Sequence, residues 1–144
     1  MRGLSYRKGQ NSVTEQAKPR ILVVDDDEAL QKLVNTLLVR AGMEPIPALT
    51  ARDAAQILRQ RPLPDIVLLD LMLPDISGIE FLRQMRSREM FDDLPVVILS
   101  ALADPDQIRE GLDTGADRYL TKPYLAQNVV KTLEALLANG RRKT

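Results

Sequence analysis

The chain of 144 residues has no cysteine, no histidine and no tryptophan, and aromatic residues make up only 3% of it. Without cysteine there is no disulfide framework, which fits a reducing compartment. With histidine missing as well, zinc and other sites built on softer ligands lose their usual donors. The scarcity of aromatics argues against a surface on which nucleic-acid bases stack. No apolar run approaches the roughly 18 residues of a membrane span, and the basic N-terminus MRGLSYRKGQNSVTEQAKPR lacks the apolar core of a signal peptide. These absences describe a cytoplasmic chain with no membrane contact and the length of one domain.

A formal net charge of zero hides an asymmetry. Residues 1–20 carry five Lys/Arg and one acid, residues 141–144 carry three Lys/Arg, and the body between them has 12 basic against 19 acidic side chains. A body near minus seven is a poor surface for nucleic acid, so no direct nucleic-acid binding is expected. Residues 1–19 read as a flexible arm, 20–140 as the folded domain and 141–144 as a basic tail.

Within the body, five apolar runs alternate with five helical patterns, the signature of an α/β fold with a parallel sheet wound on both faces. The strand candidates are residues 21–24 (ILVV), a weak 44–49 (EPIPAL), 65–69 (DIVLL), 95–100 (PVVILS) and 117–121 (DRYLT). In the first helix Leu30, Leu33, Val34, Leu37, Leu38 and Ala41 follow i, i+3, i+4 spacing and Gly42 supplies the stop. Thr50-x-x-Asp53 resembles a capping box, Ser77-x-x-Glu80 is a full one, and Asp104 precedes Pro105 as cap and first-turn proline. The last helix runs from about Ala126, with Val129, Val130, Leu133, Leu136 and Leu137 on one side, to Asn139-Gly140.

One stretch asks for an explanation. LLDLMLPD (68–75) places Asp70 at the end of a buried strand, where a carboxylate has little water to solvate it. The strand can simply end there and turn the acid outward. Other acids change the picture. In a doubly wound sheet the C-terminal strand edge is where ligands bind, and right-handed crossovers bring strands one, three, four and five together with strand two outside strand one. That edge receives Asp25, Asp26 and Asp27, then Asp70, Ser100 and Lys122. Clustered carboxylates either share protons or bind a hard cation, and magnesium suits an all-oxygen donor set. Beside such a cation Asp70 can act as a nucleophile toward phosphorus, with Lys122 and Ser100 placed to meet the phosphoryl oxygens.

The set VVDDD (23–27), LLDLMLPDISG (68–78), VVILSA (96–101) and RYLTKPY (118–124), in this order, resembles the receiver domain of bacterial two-component response regulators. The similarity covers about 120 residues, from Arg20 to Gly140. It implies a flavodoxin-like fold with strand order 2-1-3-4-5 and a phosphorylation switch rather than an enzyme acting on outside substrates. Asp70 becomes the phosphoacceptor, and Asp25, Asp26 and the backbone carbonyl of Met72 join it in holding Mg2+, Asp26 directly and Asp25 through water. Ser100 and Lys122 contact the phosphoryl group, Tyr119 matches the switch aromatic, and Pro123 matches a proline with a cis bond from Lys122. A sensor histidine kinase or phosphotransfer protein supplies the phosphoryl group. A downstream protein target reads the face formed by helix four, strand five and helix five.

Other readings stand beside this one. Asp27 can be the N-cap of the first helix, and Tyr119 a plain strand aromatic. Asp25-x-Asp27, VVILS and a later lysine also resemble the haloacid dehalogenase-type phosphatases, with Asp25 as nucleophile, although their further acids and cap domain have no counterpart. A receiver-like scaffold that is never phosphorylated is the third reading. No effector domain follows the last helix, so output is expected through protein contact or onward phosphotransfer, unless the chain is excised from a longer protein. AQNVVKTLEALL lacks an obvious dimerisation pattern, which favours a monomer or weak dimer, and Leu102 offers no polar group to guide a hydrolytic water.

Overall fold

The computed structural model describes residues 17–122 and 126–142; most of the expected N-terminal arm and the bond at Pro123 lie outside them. Five strands, β1 (Arg20–Val24), β2 (Glu44–Ala48), β3 (Ile66–Leu69), β4 (Val96–Ser100) and β5 (Arg118–Thr121), form one sheet in the order β2-β1-β3-β4-β5. All pairings are parallel. Between them run α1 (Glu28–Arg40), α2 (Ala51–Leu58), α3 (Gly78–Arg86), α4 (Pro105–Thr114) and, last, α5 (Ala126–Asn139), with a short 3-10 turn at Glu89–Phe91. This is the doubly wound arrangement that the sequence pattern predicts, with the flavodoxin-like strand order that the resemblance implies.

The central strands are apolar throughout because both faces are covered, and their side chains alternate between two cores. Leu22, Val24, Val67, Leu69, Val96 and Ile98 pack with α2 and α3, whereas Ile21, Val23, Ile66, Leu68 and Val97 pack with α1 and α5. The weak second strand has a physical reason. Pro45 and Pro47 cannot donate to a ladder, and β2 has β1 as its one neighbour, so the prolines occupy an edge where missing donors are tolerated.

Four helix starts are capped by the side chains expected from sequence: Asp27, Thr50, Ser77 and Asp104. Ser77 accepts from the Glu80 amide at 3.1 Å, but the Glu80 carboxylate turns to Arg83 (2.6 Å) and Gln84 (3.2 Å), so that capping box is half made. The α1 stripe is also narrower than the spacing suggests. Leu33 is 51% exposed, and the polar Gln31 is buried in its place. Its amide nitrogen donates to the carbonyls of Val23 (2.9 Å), Asp25 (3.0 Å) and Ala48 (3.2 Å), joining α1 to the ends of β1 and β2.

Arg141 and Arg142, the first residues of the basic tail, are docked on the body. Asp117, 1% exposed, accepts from the Val96 amide (2.8 Å), from Arg86 (3.4 Å) and from Arg141 (3.0 Å). Arg142 donates to the carbonyls of Ala116 (2.9 Å) and Leu112 (2.6 Å), which closes the C-terminal end of α4. Burial and the neighbouring Arg141 bring the Arg86 guanidinium down to about 10, with Asp117 opposing; it stays charged at neutral pH. Asp117→Ala strips the counter-ion from a buried arginine, and an equilibrium urea melt is expected to show a loss of about 3 kcal/mol, as for other broken buried pairs.

Candidate functional site

The sheet places the site residues through its own ladder. The amide of Asp25 donates to the Ala48 carbonyl (3.0 Å), that of Asp70 to Val24 (2.9 Å) and that of Lys122 to Ser100 (2.7 Å). Each residue is thus the first beyond its strand, or close to it, and remains pinned to the neighbouring strand's last carbonyl. Parallel register brings the ends of β1, β3, β4 and β5 to one edge.

Asp25, Asp26 and Asp70 gather there, with one carboxylate oxygen of each within 4.8 Å of the others. Asp25 and Asp70 are 3% and 7% exposed, and Asp26 faces solvent. Lys122 Nζ donates to Asp25 Oδ2 at 3.0 Å and to Asp70 Oδ2 at 3.5 Å. The remaining oxygens have weaker company: Asp25 Oδ1 accepts the Asp27 amide at 2.9 Å, and Asp70 Oδ1 the Met72 amide at 3.3 Å. Burial pushes the Asp70 carboxyl above its ordinary value, the charge of Asp25 adds to this, and Lys122 opposes both. The Lys122 ammonium is lowered by burial but raised more by the two carboxylates, so its net shift is upward.

The loop after Asp70 is held from two sides. Gly78 donates to the Leu71 carbonyl at 2.8 Å, and a Cβ on Gly78 would run into the Asp70 carbonyl oxygen and lie 2.7 Å from Leu71 Cα. Only glycine lets α3 start this close to Asp70. Asp75 caps a different helix, accepting from the amides of Ala51 (3.0 Å) and Arg52 (2.9 Å) at the start of α2. Those backbone donors keep its carboxyl below the usual range although partial desolvation opposes them.

Ser100 and Tyr119 meet at one peptide. The Ser100 hydroxyl, fully buried, accepts from the Leu102 amide at 3.2 Å. The Tyr119 hydroxyl donates to the Leu102 carbonyl at 2.6 Å. The ring stands beside Gly111, where an added Cβ would lie 2.7 Å from Ile98 Cδ1 and 3.3 Å from Tyr119 Cδ2. Burial raises the Tyr119 phenol; the nearby Ser100 hydroxyl opposes this and the charge of Asp70 adds to it.

The donor set suits a hard divalent cation: three carboxylates against one ammonium leave two negative charges uncompensated, and every available ligand atom is oxygen. Asp25, Asp26 and Asp70 fit such an ion, and the Met72 amide donates to Asp70 Oδ1 beside them. Asp27 is not part of the cluster. Its side chain accepts the Leu30 amide at 3.1 Å as N-cap of α1, so it is spent on the helix rather than available as an acid/base. Gln31, Asp75 and Gly78 support the site without having been singled out in the sequence; the signal for Gly78 was its place directly after the Ser77 cap.

These features have counterparts in known proteins. A family model described as the response regulator receiver domain matches residues 21–134. The phosphate regulon transcriptional regulatory protein PhoB of Escherichia coli K12 is 38% identical over 118 residues, 82% of this chain and 51% of PhoB. The DNA-binding dual master transcriptional regulator RpaA of Synechocystis is 39% identical over 124 residues, 86% of this chain and 51% of RpaA. The chain therefore spans about half the length of the curated relatives it matches. Among solved structures, the receiver domain of the Francisella response regulator 1452 is similar with a TM-score of 0.78 and 30% identity, covering 84% of this chain and 98% of that one. The phosphorylated cyanobacterial phytochrome response regulator RcpA has a TM-score of 0.75 and 28% identity, covering 85% and 96%. The dehalogenase-type alternative gives way to this match, and the chain belongs to the response regulator receiver domain family.

Proposed function

We propose that the chain is a phosphorylation switch in which Asp70 takes a phosphoryl group from the phosphohistidine of a sensor histidine kinase or phosphotransfer protein. The observation that carries this reading is the buried Asp70 carboxylate within one cluster of Asp25, Asp26 and Lys122. Asp25, Asp26, Asp70 and the Met72 carbonyl would hold Mg2+, which would neutralise charge on phosphoryl oxygens that meet a negative site. An oxygen of Asp70 attacks phosphorus, the O–P bond forms as the N–P bond to imidazole breaks, and the electron pair leaves with the imidazole. Lys122 pairs with the incoming phosphoryl charge, and the Ser100 hydroxyl turns from Leu102 to donate to a phosphoryl oxygen. A similar fold occurs in RcpA, a response regulator solved in phosphorylated form, which supports the assignment.

Signal then passes through Leu102. When Ser100 releases the Leu102 amide, the bond from Tyr119 to the same residue is the next restraint on the loop before α4. The ring's inward turn changes the face of α4, β5 and α5 presented to a downstream protein. No helix among the described residues is long and apolar enough to cross a membrane; the proposed switch acts in the cytoplasm as a monomer or weak dimer.

Intact-protein mass after incubation with phosphoramidate is the direct test. A magnesium-dependent phosphoryl adduct is expected on the wild type and on Tyr119→Phe but not on Asp70→Asn, with Asp25→Asn strongly reduced. An adduct that persists in Asp70→Asn sinks the reading, and failure of both phosphoramidate and a phosphorylated kinase to modify the wild type leaves the silent scaffold in its place.

Stability gives a second check. A carboxyl whose pKa is raised on folding binds more protons folded than unfolded, so the metal-free fold loses stability as pH climbs from the ordinary value of 3.8 through the raised one. Asp70→Asn is therefore expected to be more stable than wild type at pH 7, read as a higher Tm in a thermal melt. The gain shrinks toward zero at and below pH 3.8. Saturating Mg2+ raises the wild-type Tm and moves Asp70→Asn much less. Equal melting of the two proteins at neutral pH contradicts a buried, repelled Asp70.

For Tyr119→Ala, hydrogen-exchange mass spectrometry is expected to show the change in protection of α4 and β5 on phosphorylation reduced by at least half; an unaltered change removes Tyr119 from the switch.

A further inference from the structure

Away from the Asp70 edge, α2 and α3 enclose a half-open groove of about 340 Å³ that the phosphoryl chemistry does not use. Leu58, Phe81 and Met85 form its apolar floor, and Arg52, Arg59 and Arg88 stand around it. Ile76, 36% exposed, extends the apolar surface to the rim. Among the described residues, none of the ion pairs involves these three arginines. The one acid in the lining, Asp75, already accepts the amides of Ala51 and Arg52. An apolar trough with a positive rim, on a domain body that carries 19 acids against 12 bases, is a local inversion of charge that no ion pair among the described residues neutralises.

The spacing of the rim says what fits. Arg52 lies in the first turn of α2 and Arg59 is its C-cap, so the two are about two turns, roughly 10 Å, apart on one side of the helix. A small anion reaches one of them at a time. A helix lying in the trough meets both if it carries carboxylates seven residues apart, with apolar residues at the intervening i+3 and i+4 positions directed at the floor. We propose that the α2–α3 groove docks an acidic amphipathic helix of a partner protein, its apolar stripe on Leu58, Phe81 and Met85 and its carboxylates on Arg52 and Arg59. The groove is tied by Asp75 to the loop that follows Asp70, but docking does not require phosphorylation.

The test uses the full chain and a fluorescein-labelled, helix-favouring peptide with Leu at i+3 and i+4 and Glu at i and i+7, beside a counterpart with Lys for Glu. Fluorescence anisotropy is expected to show the Glu peptide binding at least about 10-fold more tightly than the Lys peptide, the size two rim ion pairs supply together. The double variant R52E/R59E reverses that order. Both substitutions are at exposed positions, and circular dichroism checks that the variant is folded. Amide shifts on titration fall on α2 and α3. Equal affinity for the two peptides, no binding of the Glu peptide, or shifts confined to α4, β5 and α5 overturns the proposal. So does occupation of the groove by naphthalene-2-sulfonate when the Glu peptide leaves it empty, which assigns it to small aromatic anions.

Discussion

Lys122 Nζ lies 3.0 Å from one oxygen of Asp25 and 3.5 Å from one of Asp70, so a single ammonium serves two carboxylates that have both been taken out of water. That shortage of positive charge is the constraint around which the other features of the edge are arranged. Packing a third carboxylate, Asp26, beside them makes the shortage worse in the metal-free chain. A fold selected for stability alone would fill this place with apolar side chains. The cluster is tolerated because the two cores beneath it, each shared by helices and alternate strand residues, hold the sheet irrespective of the edge.

The same edge shows how little of the positioning is left to side chains. Backbone bonds from Asp25, Asp70 and Lys122 to carbonyls of neighbouring strands set where each functional group begins. Gln31 adds three bonds to carbonyls at the ends of β1 and β2 from the opposite side. Gly78 then lets α3 close over the Asp70 peptide. Groups that must be mutually repulsive are in this way mounted on the least deformable part of the molecule.

Strand order and helix starts were legible because they depend on local rules: unbroken apolar runs for strands covered on both faces, and Asp27, Thr50, Ser77 and Asp104 as caps. The acids of the edge were legible because strand ends fix which residues share it. What could not be read depended on tertiary partners. Gln31 carried no signal of its own because nothing local shows the three carbonyls it reaches. Leu33 looked like core because a heptad-like spacing does not report how wide a stripe the sheet covers. Arg141 and Arg142 read only as part of a basic tail because Asp117, 24 and 25 residues earlier, is their partner only in three dimensions. Glu80 satisfied the letters of a capping box and then found Arg83 and Gln84 instead.

The Leu102 peptide has a quantitative consequence. Its amide is held by Ser100 and its carbonyl by Tyr119, and a hydrogen bond of this kind contributes about 1 kcal/mol net once exchange with water is counted. Two such bonds put the resting loop ahead of a rearranged one by only a few multiples of thermal energy. At a gap of that size a two-state element keeps roughly 0.1–10% of its molecules in the minor form. In the proposed switch, the two bonds that hold this peptide are thus weak enough to leave a standing background of the rearranged form, and the loop's contribution to the dynamic range is bounded by a single peptide unit.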